Sequence, residues 1–227
     1  MAAKAAKGTT GRRAALTRER VIATAVRLAD KEGVASLTMR KLAEKLGVEA
    51  MSLYHHVPDK EAILDGMVEF IFGEIALPEG FDWRSAIRSR ANALRASLVR
   101  HPWAVALLDS RRNPGEATLR HQDWVLGTLR RSGFSVVLAA HAAALIDSYV
   151  YGFAIQEVAL PFDTPEELKT LVETMLETLP ADRYPNITEM GREVAGRPGY
   201  AFANEFPFGL ELVLDGLERA RAEGSSS

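Results

Sequence analysis

The sequence predicts an all-α protein, and three observations indicate this fold class. Apolar residues recur at helical spacing in each long segment, as Val21, Ala25 and Leu28 do near the N-terminus. Residues that can cap a helix precede these segments, and Gly or Pro follows them. No segment shows the apolar–polar alternation that is typical of a strand.

The N-terminal part is predicted to be a basic arm followed by a small three-helix domain. The arm, residues 1–16, is expected to be flexible, and the domain covers residues 17–62. Thr17, Thr38 and Asp59 can each cap a helix, while Gly33 and Gly47 can end one. These signals predict helices at residues 17–32, 39–46, 50–56 and 59–76.

The remainder is predicted to be a larger helical domain, residues 63–223, with a short tail at 224–227. The segment Asn113-Pro114-Gly115-Glu116 resembles a capping box, and Thr164 with Glu167 forms a clear one. Ser135 can cap the most apolar helix. The helices are predicted at residues 83–101, 113–131, 135–158, 164–179 and 207–222, with a turn-rich segment at 180–205.

The composition is that of a globular chain with enough apolar residues for a core, since 47% of its 227 residues are hydrophobic. The absence of cysteine excludes a disulfide scaffold, a zinc–cysteine site and thiol catalysis, and it fits a cytoplasmic location. No run of 18 apolar residues is uninterrupted, so no membrane partner is expected.

Charge is distributed unevenly along the chain. The first 60 residues carry 12 Lys+Arg and 6 Asp+Glu, whereas the rest carries 16 and 24. Clustered cations suit a polyanion, because neutralising phosphates releases counterions. A solvated basic arm without such a partner explains the same charges, so charge alone leaves both interpretations open.

The most informative segment is TMRKLAEKLGVEAMSLYHHV at residues 38–57. Its Ala43, Gly47 and Leu53 have the spacing of a helix-turn-helix, in which a small residue allows close crossing, glycine forms the turn and leucine seals the second helix. A structural helical hairpin has the same spacing. The second helix would present its outward-facing side chains to a major groove. These are Ala50, Met51, Ser52, Tyr54, His55 and His56, flanked by Arg40 and Lys60.

Residues 17–76 resemble the N-terminal domain of the tetracycline-repressor (TetR) family of bacterial regulators. The resemblance rests on LTMRKLAEKLGV, LYHHV and DKEAIL, and the late FPFGLELVLDGLE is similar to the family's C-terminal domain. It implies a homodimer, joined by its last two long helices, that binds a pseudo-palindromic operator in double-stranded DNA. By position, Thr38, Ser52, Tyr54 and Lys60 match phosphate contacts, Arg40, Ala50, Met51 and His55 match residues that can face bases, and His56 is close by.

The resemblance also implies a small-molecule effector bound within residues 83–162. The candidate ligand-binding residues are polar or aromatic groups in apolar helices, namely His121, Trp124, His141, Asp147 and Gln156. Each of them could instead make structural hydrogen bonds in the core or at the dimer interface. Tetracycline repressors bind a drug-bound magnesium ion through a histidine and a partner carboxylate, and Leu107 and Gln156 stand at those positions. Neither a metal ion nor another cofactor is therefore expected.

The expected function is a ligand-responsive transcriptional regulator, and the family implies a repressor. One alternative is a non-specific nucleic-acid binder that uses only the basic arm. A second is a small helical enzyme with His141 or His121 as base. The sequence has no phosphate-binding loop, nucleophile elbow or His-x-x-x-His pair, so an enzyme is not expected.

Overall fold

The computed structural model describes residues 15–80, 82–108 and 110–224. This part of the chain contains eleven α-helices, several short 3-10 or π-helical turns and no strand, which confirms the all-α prediction. The chain divides into two compact units at Met67 and Val68. Residues 1–14 of the predicted arm (1–16) and residues 225–227 of the predicted tail (224–227) lie outside the described residues.

The first unit contains α1 (Arg18–Glu32), α2 (Met39–Leu46) and α3 (Ala50–Leu53), and α4 (Lys60–Glu74) begins in it. The predicted caps form as expected. The hydroxyl oxygens of Thr17 and Thr38 accept from the backbone amides of Arg20 and Lys41, each at 3.2 Å. Asp59 Oδ1 accepts from the amide of Ala62 at 2.8 Å and caps α4.

The prediction that the third helix continues to His56 is wrong, because α3 ends at Leu53. The amides of His56 and Val57 both donate to the Leu53 carbonyl at 2.9 Å, so the chain closes into a tight turn. Val57 precedes Pro58, and a proline disfavours the α conformation of the residue before it. The turn leaves Tyr54 and His55 exposed beyond the helix end.

In the core of the first unit, α1 packs against α2, and α2 packs against α3. Val21, Ala25, Leu42 and Leu53 are each fully buried. The predicted apolar face of α1 is therefore the face that packs, and it supplies the burial that two short helices cannot achieve alone.

The second unit contains the end of α4 and seven further helices. α8 is the central one, since it packs against α5, α7 and α11. The bounds are α5 (Trp83–Arg100), α6 (Val105–Leu108), α7 (Glu116–Arg131), α8 (Val136–Val158), α9 (Pro165–Thr178), α10 (Pro185–Met190) and α11 (Glu205–Gly224).

The prediction of a capping box at the start of α7 is wrong. Gly115 stands at the cap position and offers no side chain. The acceptor is the carboxylate of Glu69 on α4, which receives the amides of Ala117 at 2.7 Å and Thr118 at 3.1 Å. A Cβ at Gly115 would lie 2.4 Å from the Glu69 carboxyl carbon, so glycine makes room for this contact. By contrast, the predicted box at Thr164 and Glu167 forms and begins α9.

The segment at residues 180–205 is more regular than its turn-forming composition suggested. It contains α10, a π-helical turn at Gly191–Ala195 and a 3-10 turn at Phe202–Asn204. α11 begins at Glu205, two residues before the predicted start, because Pro207 is tolerated in the first turn of a helix. It also includes Gly224, which was assigned to the tail.

α8 has the length and hydropathy of a membrane span, and it is the one such helix among the described residues. One face of it is buried inside the second unit, including Ala139, Ala142 and Ile146. The remainder carries exposed apolar side chains, with Val136 at 66%, Leu145 at 49% and Ile155 at 52% exposure. α8 thus combines a face that packs in its own unit with an apolar face that the unit leaves uncovered.

Candidate nucleic-acid interface and ligand-binding domain

The predicted helix-turn-helix is present in the first unit. Gly47 adopts the left-handed conformation with φ 67° and ψ 38°, which suits glycine. The amide of Val48 donates to the Ala43 carbonyl at 3.0 Å. Leu53, the last residue of α3, is fully buried. Gly47 and Leu53 therefore have the roles that their types predicted, and Ala43 is buried at 3% exposure.

None of the nine predicted DNA-contacting residues is buried. Met51 and Tyr54 are 73% and 46% exposed, so both side chains are accessible to a partner. The nine residues lie on α3 or beside it, and at the starts of α2 and α4. The exposed residues are Thr38, Arg40, Met51, Tyr54, His55 and Lys60, and the half-buried ones are Ala50, Ser52 and His56.

Two cations on this surface carry uncompensated charge. Among the described residues, no carboxylate lies within ion-pair distance of Arg40 or Lys60. The nearby Glu32 pairs instead with Lys41, and that hydrogen bond lowers the pKa of Glu32. Free cations beside an exposed helix can hold phosphates while the helix side chains meet base edges.

The second unit holds a buried polar cluster around Arg90, which is only 2% exposed. Its Nε donates to Nε2 of His121 at 3.2 Å, and its Nη1 donates to Asp147. Burial and, secondarily, the Arg90 charge lower the pKa of His121 to about 3. His121 is therefore neutral near pH 7 and acts as the acceptor.

The structure brings two of the five candidate ligand-binding residues together, since Arg90 joins His121 to Asp147. Arg90 itself was missed, although an arginine within the apolar series of α5 was a signal for it. Trp124 is half-buried and lines two adjoining cavities of about 450 and 430 Å³.

The remaining two candidates, His141 and Gln156, are exposed on α8. Because both side chains are exposed, they do not join the buried cluster around Arg90. Within the described ranges, no group of three or more His, Cys, Asp or Glu side chains could hold a metal ion.

Two family models together cover most of the chain. Residues 21–67 match the bacterial regulatory proteins of the tetR family, and residues 76–221 match the tetracyclin repressor-like C-terminal domain. The chain therefore belongs to the tetR family. This assignment confirms the predicted helix-turn-helix regulator.

Individual relatives are transcriptional regulators as well. An HTH-type transcriptional regulator of Saccharopolyspora erythraea is 39% identical over 139 residues, covering 60% of this chain and 59% of that protein. The HTH-type transcriptional repressor DrrR1 of Streptomyces coeruleorubidus is 31% identical, covering 92% and 79%. The solved structure of apo ActR from Streptomyces coelicolor is 25% identical with a TM-score of 0.75, covering 92% and 98%, and ActR was also solved with actinorhodin. The chain is thus a DNA-binding transcriptional regulator similar to regulators rather than to enzymes.

Proposed function

We propose that this protein is a cytoplasmic repressor that leaves its operator when a small-molecule effector binds the second unit. The observation that carries the proposal is α3, a short helix sealed by Leu53, with Met51 exposed on it and Tyr54 exposed directly after it. Such a helix fits a major groove, in which side chains can read base edges.

The proposed contacts divide between phosphates and bases. Thr38, Ser52, Tyr54 and Lys60 would hold phosphates, since they offer hydroxyl groups or an unpaired ammonium. Arg40, Ala50, Met51 and His55 would face bases, with His56 beside them. Arg40 offers a fork that matches guanine, while Ala50 and Met51 offer apolar contact to a thymine methyl.

The proposed operator is pseudo-palindromic because the proposed DNA-binding form is a homodimer. Exposed apolar residues on α8 and α11 support this arrangement. Val137 and Leu145 on α8, with Phe208 and Leu212 on α11, are between 49% and 67% exposed. A patch of this kind favours burial against a second copy, whose α8 and α11 would complete a four-helix bundle.

The effector would act by shifting a population. A ligand changes DNA affinity only if it binds one conformation better than another. We propose that it binds the second unit better when the two heads are wrongly spaced for successive major grooves. The candidate residues are His121, Trp124, His141, Asp147 and Gln156. Buried groups near Arg90 and the cavities beside Trp124 support His121, Asp147 and Trp124 most directly.

Selection of bound duplexes from a random DNA pool, at near-physiological salt, tests this function. An inverted repeat among the survivors is the expected result, because a symmetric dimer reads two half-sites. Survivors without a shared sequence would contradict it and favour the non-specific electrostatic binder.

A further inference from the structure

Two adjoining cavities in the second unit meet at Trp124. Both are also lined by Glu79 and Arg131, so these three residues form their common wall. The cavities measure about 450 and 430 Å³, which is within the range of sites for drug-sized ligands. The indole is half-buried, and its N–H makes no hydrogen bond within the described part of the chain.

The charged groups around these cavities are not paired with one another. Arg120 and Asp123 line one cavity, in addition to the shared Glu79 and Arg131. Within residues 15–80, 82–108 and 110–224, none of these four side chains makes an ion pair. All four side chains are exposed, so their charges are available to a ligand that enters this concave surface.

The position of Arg131 is set by local packing. Its guanidinium lies back over α7, where a Cβ at Gly127 would come within 2.9 Å of Nη1. Nη2 donates to the hydroxyl oxygen of Thr128 at 3.3 Å. The guanidinium lines the same cavities as Trp124 and keeps further N–H donors, which suits a planar carboxylate.

We propose that this surface, the Trp124 groove (Trp124, Arg131, Arg120, Glu79 and Asp123), is the effector site. The ligand class that fits is a planar aromatic carboxylate with phenolic hydroxyl groups. Its ring stacks on the indole, its carboxylate pairs with Arg131, and its hydroxyls donate to Glu79 or Asp123. This inference rests on the proposed function and specifies the effector's chemistry. Of the five candidate residues it keeps Trp124 as a ligand contact, while His121 and Asp147 belong to the structural cluster around Arg90.

The groove is placed to influence α4. Ile75 and Leu77 line one cavity and directly follow α4, which ends at Glu74 and begins at Lys60 in the first unit. A ligand in the groove therefore contacts the chain immediately after the helix that is shared with the DNA-binding unit. If the ligand binds one conformation of this segment better than another, its binding shifts the population and so changes DNA affinity.

Tryptophan fluorescence of the full chain tests the assignment, with 3-hydroxy-2-naphthoate as probe. Trp83 and Trp103 are 6% and 7% exposed, so Trp124 is the indole that a solution ligand reaches. We expect saturable quenching that disappears in Trp124→Phe. The neutral 3-hydroxy-2-naphthamide should bind about tenfold more weakly, since it lacks the negative charge that pairs with the Arg131 guanidinium.

The decisive variant is Arg131→Gln, for which Arg192→Gln is the matched control because Arg192 is exposed and outside the groove. We expect Arg131→Gln to bind the probe about tenfold more weakly than the wild type, and Arg192→Gln to bind it as tightly as the wild type. If Arg131→Gln lowers the melting temperature, Arg131→Lys, which keeps the charge but loses the fork, replaces it. Equal affinity in the Arg131 variant and the control overturns the assignment, as does the absence of saturable quenching.

Operator binding is measured on the same protein preparations. A selected inverted repeat that is bound tightly, together with no saturable quenching, rejects the Trp124 groove and leaves the repressor function intact. Probe binding without any selected duplex rejects the repressor function instead. In the expected case, the probe releases the selected duplex, and Arg131→Gln requires about tenfold more probe for the same release.

Discussion

Tyr54 combines an aromatic ring that is 46% exposed with a hydroxyl group at the end of α3. Tyr54→Ala should weaken binding to the selected duplex by about 1–3 kcal/mol, the usual loss for a good interface contact. Fluorescence anisotropy with labelled duplex measures this. Tyr184→Ala, which removes a similarly exposed tyrosine from the second unit, is the control. Equal affinity of the two variants would contradict the proposed docking surface.

Lys60 lies at the start of α4 without an ion-pair partner in the described residues. Lys60→Ala should lower the slope of log affinity against log salt by about 0.9, because one fewer counterion is released. The base preference should stay the same, since a phosphate contact carries no sequence information. Titration of the duplex at several salt concentrations checks the slope, and a changed consensus sequence would argue that Lys60 faces a base.

His121 should make the stability of the protein depend on pH. Burial and the nearby Arg90 lower its pKa from 6.5 in the unfolded chain to about 3. The unfolded chain therefore binds the proton first as the pH falls, and the free energy of unfolding decreases between about pH 6.5 and 3. Above pH 6.5 this contribution is fully present. Urea unfolding of the wild type and of His121→Gln should show a weaker pH dependence in the variant over that window.

At the scale of the element, the start of α7 depends on a residue that is distant in sequence. Glu69→Gln should lower the free energy of unfolding by about 1 kcal/mol, as the loss of a helix cap does. Gly115→Ala should also destabilise, since the new Cβ would displace the carboxylate. Both changes affect one contact, so their effects in the double variant should not add. Urea unfolding of the four proteins measures this, and strict additivity would show that the two residues act independently.

The helix ends show which local sequence signals are sufficient to predict where a helix begins or ends. Thr38, Ser135 and Thr164 cap the helices that they were predicted to cap, because the acceptor and the amide are within three residues of each other. The pattern at Asn113 failed because Glu69 supplies the acceptor from another helix. α3 was predicted too long because the helix signal continued past Leu53, whereas Pro58 restricts Val57.

At the scale of the whole molecule, the uncovered face of α8 should decide the oligomeric state. Leu145→Glu places a charge on this face, and it should convert a dimer to a monomer and weaken operator binding, since a single head contacts one half-site. Sedimentation velocity measures the mass. Leu119→Glu, on the exposed side of α7, is the control for charge at an equally exposed leucine. A dimeric Leu145→Glu protein would place the interface elsewhere.

The fold class, the positions of most helices and the helix-turn-helix follow from the amino-acid sequence alone. These features depend on spacing, capping and glycine conformation, which act over a few residues. The tertiary structure decided which polar residues meet. Arg90 joins His121 to Asp147 across three helices, and Glu79 comes beside Trp124 and Arg131. It also decided that His141 and Gln156 face outward from the isolated chain. Periodicity shows that a helix has an apolar face, but which neighbour covers that face depends on the packing of the whole unit.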